Sequence, residues 1–306
     1  MAKRIFKDDA QQALFDKQGF LIVPFIDEQE VKYLNDLFDS LHPNLPKEGF
    51  VSGSYSQDFG YKKKASDEIV KAFAKHYERL FVDYQPFGAA FLFKMPSANS
   101  TLAIHQDWTI VDEDQYVALN CWVPLTDVSE MNGALQIVPG SHYDALKTLR
   151  APTLPFFFSG NDDLVIDASI PMCVKAGEAV ILNQSVIHYS PANRSGAIRK
   201  AITAGVKSKG APMHFHYRDN EKGGDQVEVF EMPENFLISF KNFATDIFQR
   251  PTMGESKGFR TYKQPSFSRE ELKPEIERMK AAAGFGNVPL QVSKNIFQRI
   301  AGLFNA

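Results

Sequence analysis

The spacing of hydrophobic residues changes once along the chain, near residue 86. Before that point, apolar residues recur with helical spacing in three stretches, and a short apolar run between the first two has the composition of a strand. Asp27 and Glu30 have the spacing of a capping box, which marks the start of the second helix. The pattern predicts helices over residues 7–19, 27–41 and 66–80, and a strand over 20–25.

From Pro86 onward the apolar residues alternate with polar ones, as in half-buried strands. Turn-forming sequences such as Met131-Asn132-Gly133 and Pro139-Gly140 separate the segments. Many short strands joined by turns are typical of a β-sandwich or barrel. The predicted strands are Phe87–Met95, Thr101–Trp108, Tyr116–Val123, Ala134–Val138, Glu178–His188 and Ala197–Lys207.

The remaining segments have weaker patterns. Residues 43–64 form a long irregular stretch, which we interpret as a loop that covers a substrate site, because loops of this length inside a domain are usually functional or disordered. Residues 143–173 interrupt the strand series as an insertion, whose Phe156–Phe158 could wall a cavity mouth or simply pack under a loop. After Met213–Tyr217, a possible strand, the chain is predicted to be mainly helical. The predicted helices there are 233–248, 269–282 and 289–304, with 250–266 irregular.

No linker divides the 306 residues, so we predict one domain. Its parts are N-terminal helices and a lid loop (1–85), a β core (86–217) and a helical C-terminal extension (218–306). The net charge of -3 and a pI near 6.2 give no support for binding to nucleic acid or to an anionic membrane. Cys121 and Cys173 form no disulfide framework, and no stretch has the apolar length of a signal peptide or membrane span. These features favour a cytoplasmic protein with reduced thiols.

Three residues in the β region have the character of metal ligands. His105 and Asp107 form an H-x-D step, and side chains two apart on a strand point to the same face. His188, on a later strand, is the candidate third ligand. Two histidines and one carboxylate on one side of a metal are typical of non-haem Fe(II) oxygenases. His214 and His216 are another possible pair, but no carboxylate accompanies them, and we predict surface strand histidines.

Arg199 follows His188 by eleven residues, after a tight turn. An antiparallel return strand would bring it back to the depth of the metal, where its guanidinium could bind a carboxylate with two hydrogen bonds. Lys200 has the opposite strand parity, and Arg194 lies in the turn itself.

Four sequence features together resemble the phytanoyl-CoA dioxygenase family of Fe(II)/2-oxoglutarate-dependent oxygenases. They are HQD at His105, W-x-P-L-x-D-V at Trp122, NGALQIVPGSH from Asn132, and H-(x)10-R from His188 to Arg199. They cover roughly residues 85 to 207. The resemblance implies a double-stranded β-helix, a jelly-roll core, with flanking helices.

The resemblance also implies a set of cofactors and contacts. Iron, 2-oxoglutarate and O2 would be used, with His105, Asp107 and His188 on the iron and Arg199 on the far carboxylate of 2-oxoglutarate. By the same resemblance Trp122 and Ser190 would touch 2-oxoglutarate. Strand alternation adds Asn120, which shares the face of Trp122. Gln106 points away from the metal on an ideal strand, but a local bend could turn it toward the site.

The function that follows from these features is hydroxylation of an unactivated C–H bond of a small-molecule metabolite, with decarboxylation of 2-oxoglutarate to succinate and CO2. Related halogenases carry a small residue in place of the carboxylate, so Asp107 disfavours halogenation; desaturation and epoxidation stay open. A cupin-like zinc or manganese isomerase or hydrolase is the alternative from another class, and a non-catalytic binding barrel is a third. Lys62–Lys64 could meet the phosphates of an acyl-CoA, but lysine runs are usually solvated, and we expect a small polar or carrier-free metabolite. The identity of the substrate and the oligomeric state are not predicted.

Overall fold

The computed structural model describes residues 3–143 and 148–286. Thirteen strands and seven α-helices lie in this part of the chain. The strands are β1 Phe20–Pro24, β2 Phe50–Ser52, β3 Tyr84–Lys94, β4 Leu102–His105, β5 Ala118–Pro124, β6 Leu135–Ile137, β7 Ile170–Met172, β8 Glu178–Asn183, β9 His188–Ser190, β10 Arg199–Ser208, β11 Met213–Tyr217, β12 Gln226–Met232 and β13 Glu255–Thr261. The helices are α1 Asp9–Gln18, α2 Glu28–Leu41, α3 Phe59–Leu80, α4 Asp162–Ala168, α5 Phe236–Ser239, α6 Phe243–Asp246 and α7 Arg269–Ala282.

Two antiparallel sheets form the core. The larger has the strand order β1-β8-β5-β10-β3-β2, and the smaller has the order β4-β9-β6-β7. Apolar side chains from both sheets form one buried cluster, so the sheets are packed face to face. The cluster includes Phe20, Trp122, Val180, Leu182 and Ala201 from the larger sheet, and Leu135, Ile137, Ile170 and Met172 from the smaller. The jelly-roll prediction is confirmed.

Helices α1, α2 and α3 cover the outer face of the larger sheet. On β5, Leu119, Cys121 and Val123 point into this helix-covered core, while Asn120 and Trp122 point toward the smaller sheet. This is the alternation that the sequence predicted, and it leaves polar side chains of the larger sheet in the space between the two sheets. The predicted capping box at α2 is present, since Asp27 and Glu30 each accept a hydrogen bond from the other's backbone N–H.

Helix α3 begins earlier than the sequence predicted. Asp58, rather than Ser66, is its N-cap and accepts a hydrogen bond from the backbone N–H of Tyr61. The Ser66 hydroxyl lies inside the helix and accepts from the backbone of Ala89 on β3. The predicted 43–64 loop was therefore too long. Its middle pairs with β3 as the edge strand β2, and residues 53–55 form a 3-10 turn.

The predicted strand Glu178–His188 is two strands in different sheets. β8 belongs to the larger sheet and β9 to the smaller, and a turn at residues 184–187 joins them. The run of apolar residues continues through this turn because Val186 and Ile187 are also buried, so the pattern alone does not show the break. The turn carries the chain across the space between the sheets and places His188 beside β4.

The C-terminal part is less helical than predicted. Strands β11, β12 and β13 form a third sheet, so residues 226–232 and 255–261 are strands. The predicted helix 233–248 is two short helices, α5 and α6, whose phenylalanines pack on β11 and on Trp108. Helix α7 has the predicted bounds, and the predicted helix 289–304 lies outside the described residues.

The insertion ends in the smaller sheet, where β7 pairs with β6. Phe156, Phe157 and Phe158 pack against α4 and α7 rather than lining a cavity around the predicted ligands. The simpler of the two interpretations, aromatic packing under a loop, is therefore the one that the structure supports. Within residues 3–143 and 148–286, no helix has the length and apolar character that a membrane span requires.

His216 on β11 is buried, with 3% of its surface exposed, and its Nδ1–H donates to the carbonyl of Thr109 at 3.0 Å. The prediction of a surface histidine was wrong here, because the segment that contains Thr109 and Ile110 packs against this edge strand. Burial, with the charge of Arg260 and the neighbouring His214, lowers the pKa of His216 to about 3.

This buried histidine makes the stability of the fold depend on pH. Above pH about 6.5, the ordinary pKa, the imidazole is neutral in both the folded and the unfolded chain. As the pH falls below that value, only the unfolded chain takes up the proton, so stability decreases by up to about 1.4 kcal/mol per pH unit until the folded pKa is reached. Urea unfolding between pH 7 and pH 4 measures this loss. The variant His216→Asn keeps a donor near Nδ1 and cannot titrate, so its slope should be shallower; an unchanged slope would contradict the assignment.

Candidate metal centre

The structure brings His105, Asp107 and His188 together at one end of the space between the sheets. One ligand atom from each lies within 4.8 Å of the other two. Asp107 Oδ1 is 3.8 Å from His105 Nε2 and 4.0 Å from His188 Nε2. Two imidazoles and one carboxylate around a common point can hold a divalent metal on one side and leave its other positions open.

The pairing of β4 with β9 explains the arrangement of the two histidines. His105 and His188 are direct partners across the antiparallel pair, and their ring centroids are 4.2 Å apart. Asp107 lies beyond the end of β4, so it does not share a strand with His105 as the sequence analysis supposed. The carboxylate nevertheless reaches the same point as the two imidazoles.

Each histidine is oriented by its own backbone. The Nδ1–H of His105 donates to the carbonyl of Ala103 at 2.8 Å, and that of His188 donates to the carbonyl of Val186 at 2.9 Å. These bonds fix the tautomer that leaves the Nε2 lone pairs free to bind metal. Burial and the neighbouring His188 lower the pKa of His105 below its usual range. At neutral pH this histidine is therefore in the form that binds metal.

Asn120 and Thr203 hold the carboxylate. The Nδ2 of Asn120 donates to Asp107 Oδ2 at 3.4 Å, and its Oδ1 accepts from the hydroxyl of Thr203 at 2.6 Å. Both side chains come from the larger sheet, on β5 and β10. The larger sheet therefore positions a ligand that follows a strand of the smaller one.

Arg150 fixes the backbone around Asp107. Its Nε donates to the Asp107 carbonyl at 2.8 Å, and its guanidinium pairs with Glu113. The backbones of Arg150 and Thr109 also bond to each other, with Thr109 N 2.9 Å from Arg150 O. The segment after β4 is not part of a strand, and this buried arginine holds it together with hydrogen bonds from His214 and His216 on β11. Arg150 was not recognised from the sequence, because its partners are distant along the chain.

Arg199 lies at the floor of the same space, with only 2% of its surface exposed. Its guanidinium makes no hydrogen bond or ion pair with any described residue, and Nε is buried without a partner. Its carbon Cζ is 5.3 Å from the ring centroid of Trp122. Burial lowers the pKa of Arg199 to about 9. A buried cation without a counter-ion is costly, so the site is built for an anion from outside the chain.

Lys94, the cross-strand partner of Arg199, has no N–H left to donate to such an anion. Its ammonium group donates to the carbonyls of Ser190 and Pro191, each at 2.9 Å, and to the carbonyl of Ser100. Burial and the charge of Arg199 lower the pKa of Lys94 to about 7. Its three hydrogen bonds tie β3 to the smaller sheet.

Two adjoining cavities meet at His105 and Asp107. The first, which we call the arginine cavity, has a volume of about 140 Å³. It is lined by His105, Asp107, His188, Asn120, Trp122, Ser190 and Arg199, among others. The second, which we call the aromatic cavity, has a volume of about 360 Å³ and also reaches His105, Asp107 and Asn120. It continues toward Tyr55, Phe87, Trp108, Leu237 and Phe243.

Two of the predicted contact residues have constrained positions. The Ser190 hydroxyl donates to the carbonyl of Gly133 at 2.8 Å, so in this conformation it offers a bound molecule an acceptor only. Gln106 lines neither cavity. Its amide donates to the carbonyl of Ser185, and its side chain is buried outside both cavities. The expectation that Gln106 contacts a cofactor has no support in this geometry.

The residues of the aromatic cavity were not predicted from the sequence. Tyr55 comes from the 3-10 turn, Phe243 from α6 and Gln184 from the turn between β8 and β9. Gln184 lies four residues before His188, so on one continuous strand both side chains would point to the same face. The chain turns between them, and the spacing therefore does not predict where Gln184 points. The aromatic residues come from segments far apart along the chain, and no local pattern links them. His214 and His216 form no ligand group with a carboxylate in the part of the chain that the structure describes.

Known proteins resemble the chain in sequence and in fold. Phytanoyl-CoA dioxygenase domain-containing protein 1 of Danio rerio is 28% identical over 234 residues, 74% of this chain and 68% of the relative. Phytanoyl-CoA dioxygenase 1 of Oryza sativa subsp. japonica is 30% identical over 118 residues, 38% of this chain and 42% of the relative.

Among solved structures, the nogalamycin-biosynthesis epimerase SnoN aligns with a TM-score of 0.49 and 18% identity, over 85% of this chain and 98% of that one. EvdO2 from Micromonospora carbonacea var. aurantiaca, crystallised with 2-oxoglutarate, aligns with a TM-score of 0.47 and 20% identity, over 66% and 91%.

The family profile described as phytanoyl-CoA dioxygenase (PhyH) matches residues 15–201, more than half of the chain. The match ends two residues after Arg199 and so contains the whole candidate centre. Together with the triad of His105, Asp107 and His188, this match shows that the chain belongs to the phytanoyl-CoA dioxygenase family of iron- and 2-oxoglutarate-dependent oxygenases.

Proposed function

We propose that the protein is an Fe(II)/2-oxoglutarate-dependent dioxygenase that hydroxylates an unactivated C–H bond of a small-molecule metabolite. The observation that carries this proposal is Arg199, a buried guanidinium without a protein partner in the cavity that also contains the three candidate ligands. A zinc or manganese isomerase or hydrolase needs the ligands but has no use for this cation.

The candidate ligands fit the proposed metal. His105 and His188 would bind through Nε2, since both Nδ1–H groups are used by backbone carbonyls, and Asp107 would bind through Oδ1. When bound, iron and 2-oxoglutarate supply the oxidising chemistry, in which O2 is consumed and succinate and CO2 are formed. The chain contributes the geometry of the ligands and a defined protonation state of the histidines.

The arginine cavity would hold 2-oxoglutarate. Its far carboxylate would pair with the Arg199 fork, because a planar guanidinium matches a carboxylate with two hydrogen bonds. Trp122 packs beside this guanidinium and limits its rotation. Ser190 would form part of the wall, with its proton directed to Gly133. The aromatic cavity, on the other side of the ligands, would receive the metabolite.

An anaerobic titration of the metal-free protein tests this proposal. Fe(II) is added first and 2-oxoglutarate second, while the visible absorption is followed for the weak charge-transfer band of an iron–oxoglutarate chelate. The band should appear and saturate with one equivalent of each. If iron binds without a band, the metal centre stands and the oxygenase proposal falls, in favour of the zinc-type alternative.

Asn120 is expected to support the metal through Asp107. Replacing it with alanine removes the hydrogen bond to Asp107 and leaves the Thr203 hydroxyl without its acceptor. Loss of such an outer partner typically lowers metal affinity by about 10- to 100-fold. Competition with a chelating dye under argon measures the Fe(II) dissociation constant. Thr203→Val, which changes only the second bond, should have a smaller effect, and equal affinities for wild type and Asn120→Ala would contradict this role.

A further inference from the structure

The described lining of the aromatic cavity contains no positively charged residue. It includes no lysine or arginine, His105 is neutral at neutral pH, and Asp107 is the one charged residue among those described. Its volume of about 360 Å³ is near the lower end of the range for small-molecule sites, roughly 300–1,000 Å³. A molecule that fills this cavity would meet mostly apolar side chains.

Three stacked rings form one wall. The ring of Phe243 lies 5.5 Å from that of Trp108 at an interplanar angle of 7°, and 5.0 Å from that of Tyr55 at 30°. Aliphatic side chains of Leu237, Ile238 and Ile247 extend the apolar surface. The stacked rings and these aliphatic side chains together form a continuous apolar surface, against which an apolar ring system can pack.

The lysine next to this region is committed to the fold. The buried ammonium group of Lys62 donates to the carbonyl of Phe240 at 2.5 Å, whereas Lys63 pairs with Asp67 at 2.5 Å on the exposed surface of α3. Lys62 is therefore not available to the phosphates of coenzyme A.

With Fe(II) and 2-oxoglutarate bound, the charges of the centre would sum to zero, a step that rests on the proposed function. Fe(II) and Arg199 bring three positive charges. One negative charge from Asp107 and two from 2-oxoglutarate balance them, so no positive charge is left for a second anion. An acidic metabolite in the aromatic cavity would lose its hydration without gaining a counter-ion, and this cost selects against it.

One polar side chain in the cavity lacks a partner. Gln184 is 5% exposed and its amide makes no hydrogen bond with any described residue, with Oε1 buried and unpaired. Leaving a buried amide unpaired is unfavourable, and a bound hydroxyl or carbonyl group would restore the missing hydrogen bond. Since the amide can present either its oxygen or its nitrogen, it can recognise either group.

We propose that the substrate is a neutral, mainly apolar ring compound without a coenzyme A carrier, and that Gln184 recognises a hydroxyl or carbonyl group on it. The aromatic wall holds the ring system, and the amide sets its orientation toward the metal. Gln184 is thus a specificity-determining residue of the proposed reaction.

The two tryptophans of the chain allow a direct binding test, because Trp108 lines the aromatic cavity and Trp122 lines the arginine cavity. In the variant Trp122→Phe, fluorescence reports from Trp108. This variant, loaded with Fe(II) and 2-oxoglutarate under argon, is titrated with decahydro-2-naphthol, with decahydro-2-naphthoate and with free coenzyme A. The alcohol should produce a saturable change, and the carboxylate and coenzyme A should bind at least tenfold more weakly. Preference for either anion, or no response to the alcohol, overturns the proposed class.

The role of Gln184 is tested in the same background. Gln184→Leu should weaken binding of the alcohol about tenfold, since its hydroxyl loses a buried partner. Gln136→Leu is the matched control, because Gln136 is also a buried glutamine but lines neither cavity. Equal weakening by both variants, or by neither, removes Gln184 from recognition.

The reciprocal variant separates this inference from the proposed function. In Trp108→Phe, fluorescence reports from Trp122 beside Arg199. A saturable response to 2-oxoglutarate there, with no response of Trp108 to the alcohol in the first variant, overturns only the substrate class. Absence of a response to 2-oxoglutarate overturns the proposed function, and the class that rests on it falls too.

Discussion

Replacing His188 with alanine is expected to abolish 2-oxoglutarate turnover and to weaken Fe(II) binding more than about 100-fold, beyond the usual effect of losing an outer-shell partner. The imidazole supplies one of three candidate ligands, and Asp107 Oδ1 is close to both Nε2 atoms. The two remaining ligands, one imidazole and one carboxylate, would bind the metal more weakly than the complete set. Isothermal titration with Fe(II) under argon and a succinate assay in air measure the two effects.

The control for this variant is His214→Ala. His214 belongs to the other histidine pair of the sequence and lines neither cavity at the candidate centre. It should bind iron and turn over 2-oxoglutarate as the wild type does. Thermal unfolding of both variants establishes that each is folded. Normal iron binding by folded His188→Ala would show that the metal lies elsewhere, and loss of binding in His214→Ala would point to the second pair.

The triad could be predicted from the sequence because its elements are short-range patterns. One pattern is the H-x-D step, and the other is a histidine followed by a turn and an arginine. Both can be recognised without knowledge of the fold. Their meeting depends on register, with His105 opposite His188 and Arg199 opposite Lys94. The local reason given for Asp107 was wrong, since it lies past the strand end, yet the carboxylate still reaches the imidazoles. The family resemblance supplied what strand parity could not.

Sheet membership was harder to predict than strand type. The break between β8 and β9 is hidden because the residues of the turn are as buried as those of the strands. Strand β13 was missed for the opposite reason: Glu255–Thr261 lies at a sheet edge with mostly exposed residues, and so carries no alternation of buried and exposed positions. Prediction from the spacing of hydrophobic residues fails in both cases, because buried and exposed side chains do not alternate there as they do on a half-buried strand.

The aromatic cavity is a long-range product of the fold. Tyr55, Trp108 and Phe243 come from the edge of the larger sheet, from the segment after β4 and from α6. Each aromatic residue is unremarkable in its own segment, where packing in the core is the usual role of such a side chain. Only the tertiary arrangement shows that they share a wall, and for this reason the sequence indicated the reaction class but not the kind of molecule that enters.

Replacing Arg199 with leucine is expected to weaken 2-oxoglutarate binding about 100-fold while the folded state becomes more stable. Two charge-assisted hydrogen bonds to a carboxylate contribute about 3 kcal/mol or more, which corresponds to this factor. The same guanidinium is buried without a partner in the protein alone, so leucine removes a desolvated charge and keeps an apolar side chain beside Trp122. A residue kept for packing would show the reverse pattern, with lower stability on replacement.

The matched control for Arg199→Leu is Arg194→Leu, at the exposed arginine in the turn before β10. It should leave both the 2-oxoglutarate affinity and the melting temperature close to wild type. Arg199→Lys should have a 2-oxoglutarate affinity between those of wild type and Arg199→Leu, because lysine keeps the charge but cannot form the paired hydrogen bonds of a guanidinium. Anaerobic titration of the iron-loaded variants with 2-oxoglutarate gives the affinities, and thermal unfolding without 2-oxoglutarate gives the stabilities. Lower stability of Arg199→Leu with unchanged affinity would make Arg199 structural and leave the arginine cavity without its proposed ligand. Higher stability together with lower affinity would instead show that the fold carries a destabilising charge because the co-substrate needs it.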